Sequence, residues 1–261
     1  MEQTVIQVNQ LKKSFKQNEV LKGIDMEIHA GEIIGYLGSN GAGKSTTVKI
    51  MCGLLNQFEG EVSILGHNLR TENIEIKRHI GYIPENAIMY EHLTPNEYLE
   101  FIGSLYGLSL EVAKQKTTEM LTLFEMNTHS NERMLNFSKG MKQKIHIISG
   151  LLHNPDIIFM DEPLNGLDAN SVIIVKEIVT QLAKEGKTIF YCSHLMDVVE
   201  KVSSRILLLN NGLIAANGSV DELKKEFNSS SLEEVFTKAT GASGHSEKAG
   251  QIINVFEKEN Q

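Results

Sequence analysis

Leu37-Gly38-Ser39-Asn40-Gly41-Ala42-Gly43-Lys44-Ser45-Thr46-Thr47 follows directly on the apolar run Ile33-Ile34-Gly35-Tyr36. The order is a strand, a glycine-rich turn and the start of a helix, an arrangement suited to holding nucleotide phosphates. Gly38, Gly41 and Gly43 remove side chains where the backbone must curl around a polyphosphate. Ser39, Asn40, Ala42 and Thr46 fill the turn between and after them, so that successive N–H groups and the positive end of the following helix point at the phosphates. Lys44 then reaches the β- and γ-phosphates, and the Ser45 hydroxyl suits a magnesium site.

Such a P-loop serves kinases, GTPases, motors and transport ATPases alike, so the second half of the chain decides among them. Ile157-Ile158-Phe159-Met160-Asp161-Glu162-Pro163 is an apolar run bounded by Asn154-Pro155-Asp156 and Pro163, which reads as a buried parallel strand. Two carboxylates stand at its carboxyl end, where open α/β sheets place their ligands. Asp161 is expected to complete the magnesium shell with Ser45, and Glu162 to orient and deprotonate the attacking water. Adjacent acids can hold different tasks because successive side chains at a strand end diverge.

A third segment, Asn136-Phe137-Ser138-Lys139-Gly140-Met141-Lys142-Gln143-Lys144, resembles the signature segment of ABC ATPases, usually written LSGGQ, at the start of a helix. With all three motifs in order, residues 4–240 resemble the nucleotide-binding subunit of an ABC transporter. The resemblance implies that Ser138 and the Gly140 backbone, at a helix N-terminus, serve a γ-phosphate held by a second subunit, so that dimerisation is part of the chemistry. Phe137, Lys139 and Met141 depart from the family's usual Leu, Gly and Gln. The aromatic-Ser-Lys-Gly-Met form resembles a subgroup paired with separate ABC-2-type membrane subunits, often exporters.

The same resemblance extends to smaller pieces. Asn165-Gly166-Leu167-Asp168 is similar to the loop through which ABC dimers communicate, and it also reads as a turn and cap before an apolar-periodic helix over 169–184. His194 follows the apolar segment Thr188-Ile189-Phe190-Tyr191-Cys192 and resembles the switch histidine that contacts the γ-phosphate. Phe15 resembles the aromatic on which adenine stacks, with packing inside an N-terminal β layer as the alternative. In Ile80-Gly81-Tyr82-Ile83-Pro84-Glu85-Asn86 the family commonly carries a glutamine that touches magnesium and the attacking water. Here Glu85 brings a charge instead: its carboxylate is expected to reach the metal or a bound water, although when ionised it cannot donate a hydrogen bond.

Composition bounds the remaining possibilities. The 261 residues are 41% hydrophobic and 22% charged, enough for a sizeable core in one large domain or two subdomains. No apolar run approaches a membrane span, and Met1-Glu2-Gln3-Thr4 lacks a targeting pattern, so a cytoplasmic protein that meets the membrane through another is expected. Cys52 and Cys192 show no metal spacing and read as buried reduced thiols. A net charge of −8 disfavours a nucleic-acid partner.

The expected fold is α/β: a P-loop NTPase core with a mostly parallel sheet, an N-terminal antiparallel β layer and an inserted α-helical subdomain. The expected divisions are 1–93 for the first part of the core with its antiparallel layer and 94–152 for the helical insertion with the signature segment. The second part of the core follows over 153–218, and a C-terminal helical extension and polar tail over 219–261. Short strands are expected at 5–8 and 26–29, and helices at 44–54, 96–106, 110–125 and 138–152. The expected function is a magnesium-dependent ATPase that dimerises, with itself or another ATPase subunit, around two ATP molecules. It powers a separate integral membrane permease of the exporter type from the cytoplasmic face. A soluble ABC ATPase serving complex or cluster assembly is the alternative, and a P-loop kinase leaves the signature segment and His194 unexplained.

Overall fold

The computed structural model describes residues 3–85 and 89–241; Asn86 and the stretch from Ala242 onward, including the apolar residues 252–256, lie outside the described residues. In chain order the strands are β1 (Thr4–Phe15), β2 (Asn18–His29), β3 (Ile33–Gly38), β4 (Glu59–Ile64), β5 (His67–Asn68), β6 (Ile80–Ile83), β7 (Ile157–Asp161), β8 (Thr188–Cys192), β9 (Arg205–Asn210) and β10 (Leu213–Gly218). The α-helices are α1 (Lys44–Met51), α2 (Asn73–His79), α3 (Pro95–Leu105), α4 (Leu110–Leu123), α5 (Lys139–Leu151), α6 (Ala169–Lys184), α7 (Met196–Val202), α8 (Val220–Glu226) and α9 (Leu232–Thr240).

The central sheet has the order β10-β9-β3-β8-β7-β6. All its pairings are parallel except the β9–β10 hairpin. β3, β7 and β8 are buried at every residue because both sheet faces are covered. Alternation sorts them: Ile34, Tyr36, Phe159, Phe190 and Leu207 point into one core, with α1 and the antiparallel sheet. Leu37, Ile158, Met160, Tyr191 and Leu208 point into the other, with α3 to α9. The strand order also sets where the motifs meet. Tyr36 and Asp161 both pair with Cys192, so the ends of β3, β7 and β8 lie side by side.

The second sheet, β2-β1-β4-β5, is antiparallel. Its first two strands reach far beyond the expected 5–8 and 26–29. Register shifts between Val8 and Leu11, and again between Lys13 and Ser14, place buried Val8 and Leu11 three residues apart and break the two-residue rhythm that marks a strand. Gln10 takes the left-handed backbone of such an irregularity, φ 48°.

The helices begin where short polar caps predict. Thr94 closes a capping box on α3, and Ser109, Ser138 and Asp168 cap α4, α5 and α6. α1 stops at Met51, earlier than expected, because Gly53 turns left-handed at φ +63°. α2 and α7 were not expected. Each is seven residues long without a side-chain cap, too short to show two helical turns of periodicity. Cys52 and Cys192 are free and buried.

Candidate functional site

At the end of β3 the chain needs glycine for two different reasons. Gly43 has φ +114°, and a Cβ there would lie 2.5 Å from the Leu21 side chain. A Cβ at Gly38 would lie 2.6 Å from the Leu209 carbonyl oxygen. Only bare backbone fits between β2, β9 and the loop. Gly43 is also the N-cap of α1 and offers no side-chain acceptor, so the first-turn N–H groups are left for a ligand.

Lys44 is buried, and its Nζ donates to the carbonyl oxygens of Gly38 at 2.6 Å and Ser39 at 3.2 Å. Among the described residues it has no acidic partner within ion-pair distance. A buried ammonium held only by two carbonyls is poised to meet an anion. Facing it, Asp161 is 4% exposed. Burial raises its carboxyl above the ordinary range, a hydrogen bond from Ser45 opposes this, and the charges of Glu162 and Glu85 add to the rise.

These groups border a cavity of about 360 Å³ that also includes Asn40, Gly41, Thr46 and, from β2, Asn18 and Val20. Asn18 and Val20 were not legible as site residues in the sequence, because only the hairpin pairing of β2 with β1 brings them to the loop. Among the described residues there is no cluster of three or more His, Cys, Asp or Glu able to hold a metal alone. The fit is to a hard cation shared between Ser45, Asp161 and substrate oxygens.

Glu162 follows β7 with φ 49°, a left-handed backbone rare outside glycine and Asn/Asp. Its own N–H donates to the Cys192 carbonyl at 2.9 Å, which anchors the turn to β8. Its carboxylate is 11% exposed, with His194 Nδ1 2.9 Å from Oε1 and Ser193 Oγ donating to Oε2 at 3.1 Å. The His194 ring is 57% exposed and leaves its other edge to solvent. The structure thus brings Lys44, Ser45, Asp161, Glu162 and His194 to one sheet edge, with Glu85 lining the same cavity and accepting from Asn165 Nδ2 at 3.4 Å.

Ser138, Gly140 and Asp168 do not line this cavity. They form a second surface, where α5 packs on the loop that follows β7. Ser138 accepts from the Met141 N–H at 3.2 Å. Gln143 Nε2 donates to the Pro163 carbonyl at 3.1 Å, and Lys144 pairs with Asp168 at 3.3 Å. Hydrogen bonds from the Ser171 N–H and hydroxyl hold the Asp168 carboxyl well below the usual range, with Lys144 assisting. Phe15 lies off the cavity lining, at the tip of the β1–β2 hairpin, 44% exposed and with Lys13 Nζ 4.8 Å from its ring centroid.

The sequence matches the ABC transporter family over residues 21–165. An uncharacterised ABC transporter ATP-binding protein of Nostoc sp. is 38% identical over 205 residues, 78% of this chain and 61% of that relative. The chain therefore spans about six-tenths of that relative's length. The linearmycin resistance ATP-binding protein LnrL of Bacillus subtilis is 35% identical over 219 residues, 84% of this chain and 70% of its own length. Among solved structures, a dimeric ATP-binding cassette in a post-hydrolysis state with ADP and phosphate superposes with TM-score 0.76 at 26% identity, covering 82% of this chain and 98% of that one.

Proposed function

Because this chain belongs to the ABC transporter family and carries its ATP-binding fold, we propose that it binds ATP with magnesium in the cavity at the end of β3. There it hydrolyses the γ-phosphate with Glu162 as general base. The observation that carries this reading is the Glu162 carboxylate, held on left-handed backbone across the cavity from Lys44 and contacted on both oxygens by Ser193 and His194. A strained, buried, doubly held acid at a ligand edge is arranged for chemistry and not for stability.

Lys44 exchanges its two carbonyl partners for the β- and γ-phosphates, while the N–H groups of residues 38–46 take the remaining oxygens. Ser45 and Asp161 would hold magnesium, which when bound would supply positive charge to the phosphate oxygens. Glu162 accepts a proton from the attacking water as ADP leaves, and His194 fixes the carboxylate and faces the γ-phosphate. Glu85, just past the end of β6 beside β7, orients water, and Phe15 offers a stacking face for adenine at the hairpin tip.

Ser138 and Gly140 lie away from their own cavity, as residues that act on a partner's nucleotide would. The related cassette is dimeric with ADP and phosphate bound, which supports dimerisation here, with a second copy or another ATPase subunit. No helix among the described residues is long and apolar enough to cross a membrane. We therefore assign the work to a separate integral membrane permease met at the cytoplasmic face. A cleft of about 310 Å³ bounded by exposed Leu54 and by Tyr82, Tyr98, Ile102 and Tyr106 offers an apolar surface that includes Tyr82 of β6, the strand leading to Glu85. The aromatic-Ser-Lys-Gly-Met signature and the linearmycin resistance relative favour an exporter.

The test is Glu162→Gln, which keeps shape while removing proton acceptance. Turnover should fall by about 10² to 10⁴ with ATP binding retained. A variant hydrolysing ATP at more than half the parental rate sinks the assignment.

A further inference from the structure

The last residue of β8 and the two that follow it all meet Glu162. The Cys192 carbonyl accepts its N–H, Ser193 Oγ donates to Oε2, and His194 Nδ1 lies against Oε1. The serine differs from the histidine in its surroundings: Ser193 is 1% exposed, whereas the His194 ring is open to solvent. Ser193 Oγ is itself fixed, because it accepts the Leu195 N–H at 3.1 Å in a local turn. With that lone pair occupied, the single O–H is free to donate to the carboxylate and to nothing else among its described partners. On the left-handed backbone of Glu162, this donor is a second anchor for the carboxylate besides His194.

We propose that Ser193 is a positioning residue for hydrolysis. Its buried hydroxyl clamps Oε2 of Glu162, so that the other oxygen is presented, beside His194, to the attacking water. This rests on the assignment of Glu162 as the base. It assigns to Ser193 a role in turnover and none in nucleotide binding, because the residue lies behind Glu162 and does not line the cavity.

The experiment measures ATP affinity and steady-state hydrolysis on the full chain for the parent, Ser193→Ala, Ser193→Thr, Glu162→Gln and the double variant Ser193→Ala/Glu162→Gln. Ser193→Ala should lose about 10-fold or more in kcat, since displacing a reacting group by about 1 Å can cost about 10²-fold. Its Kd for ATP should stay within about threefold, and Ser193→Thr, which keeps the donor, should recover at least half of the loss. In the Glu162→Gln background the alanine should change residual single-turnover hydrolysis less than about twofold, because two residues that act as one unit are not additive. Should the alanine variant fail to fold, Ser193→Cys, near in size but a weak donor, replaces it with the same expectation. If Glu162→Gln is inactive while Ser193→Ala keeps more than half the parental kcat, the proposal falls and the assignment of Glu162 stands. It also falls if the alanine multiplies the Glu162→Gln loss by the factor it shows in the parent. An active Glu162→Gln overturns the base assignment first, and the positioning role with it.

Discussion

Gly140→Ala tests whether the contact between α5 and the loop after β7 is a fixed joint. A Cβ built on Gly140 lies 2.4 Å from the Gly166 carbonyl oxygen, whereas real Cβ atoms essentially never come closer than 3.0 Å. The Gly166 carbonyl is backbone and cannot rotate away, so the two segments must part by at least about 0.6 Å. That motion acts on Lys144 and Asp168, 3.3 Å apart, and on Gln143 and the Pro163 carbonyl, 3.1 Å apart. Overpacking of this kind costs about 1–3 kcal/mol, and replacing glycine in a helix returns about 1 kcal/mol, which leaves a net loss of up to about 2 kcal/mol. For a chain of this size the expected fall in unfolding midpoint is up to about 8 °C. ATP binding, which uses the loop at residues 38–46, should persist. Hydrolysis should drop by about 10-fold or more if, as proposed, Ser138 and Gly140 act on a partner's nucleotide. Thermal unfolding, ATP binding and turnover measured on one preparation check all three. A variant that melts at or above the parent and turns over normally would refute the reasoning, because the joint would then yield without consequence.

Lys44→Ala should lower nucleotide affinity and turnover together, since it removes a charge that meets the phosphates in ground and transition states alike; equal affinity for both proteins in a binding titration counts against it. Asp161→Asn should abolish the gain in ATP affinity that magnesium provides while sparing binding in EDTA, as read by titration with and without the ion. Burial, helped by the charge of Lys142, holds His146 down at about 4 from an ordinary 6.5. The unfolded chain takes that proton first as pH falls, so stability from this group is complete above 6.5 and is lost between about 6.5 and about 4, by roughly 2–3 kcal/mol at the acid end. Urea unfolding of the parent and of His146→Asn at pH 7.5 and 4.5 should show the smaller acid loss in the variant. Lys142 Nζ and Glu91 lie 2.8 Å apart and are partly exposed, so a double-alanine cycle should return a coupling of only about 0.2–1 kcal/mol in stability.

Short-range chemistry carried much of this protein in its sequence. The glycine-rich turn at 38–43, the paired acids Asp161 and Glu162, and the caps Thr94, Ser109, Ser138 and Asp168 are legible because each is defined by contacts within one turn of chain. The register of the antiparallel hairpin was not legible, since its bulges erase the alternation on which strand reading depends. Nor could sequence place Asn18 and Val20 at the cavity, or join Ser193 to Glu162 across 31 positions of chain. The Ser193–Glu162 contact exists only because the sheet sets β8 between β3 and β7 and aligns Tyr36, Asp161 and Cys192 at one edge. Strand order and register are settled by which apolar faces bury together over the whole domain, and that sum has no local signature in any single segment.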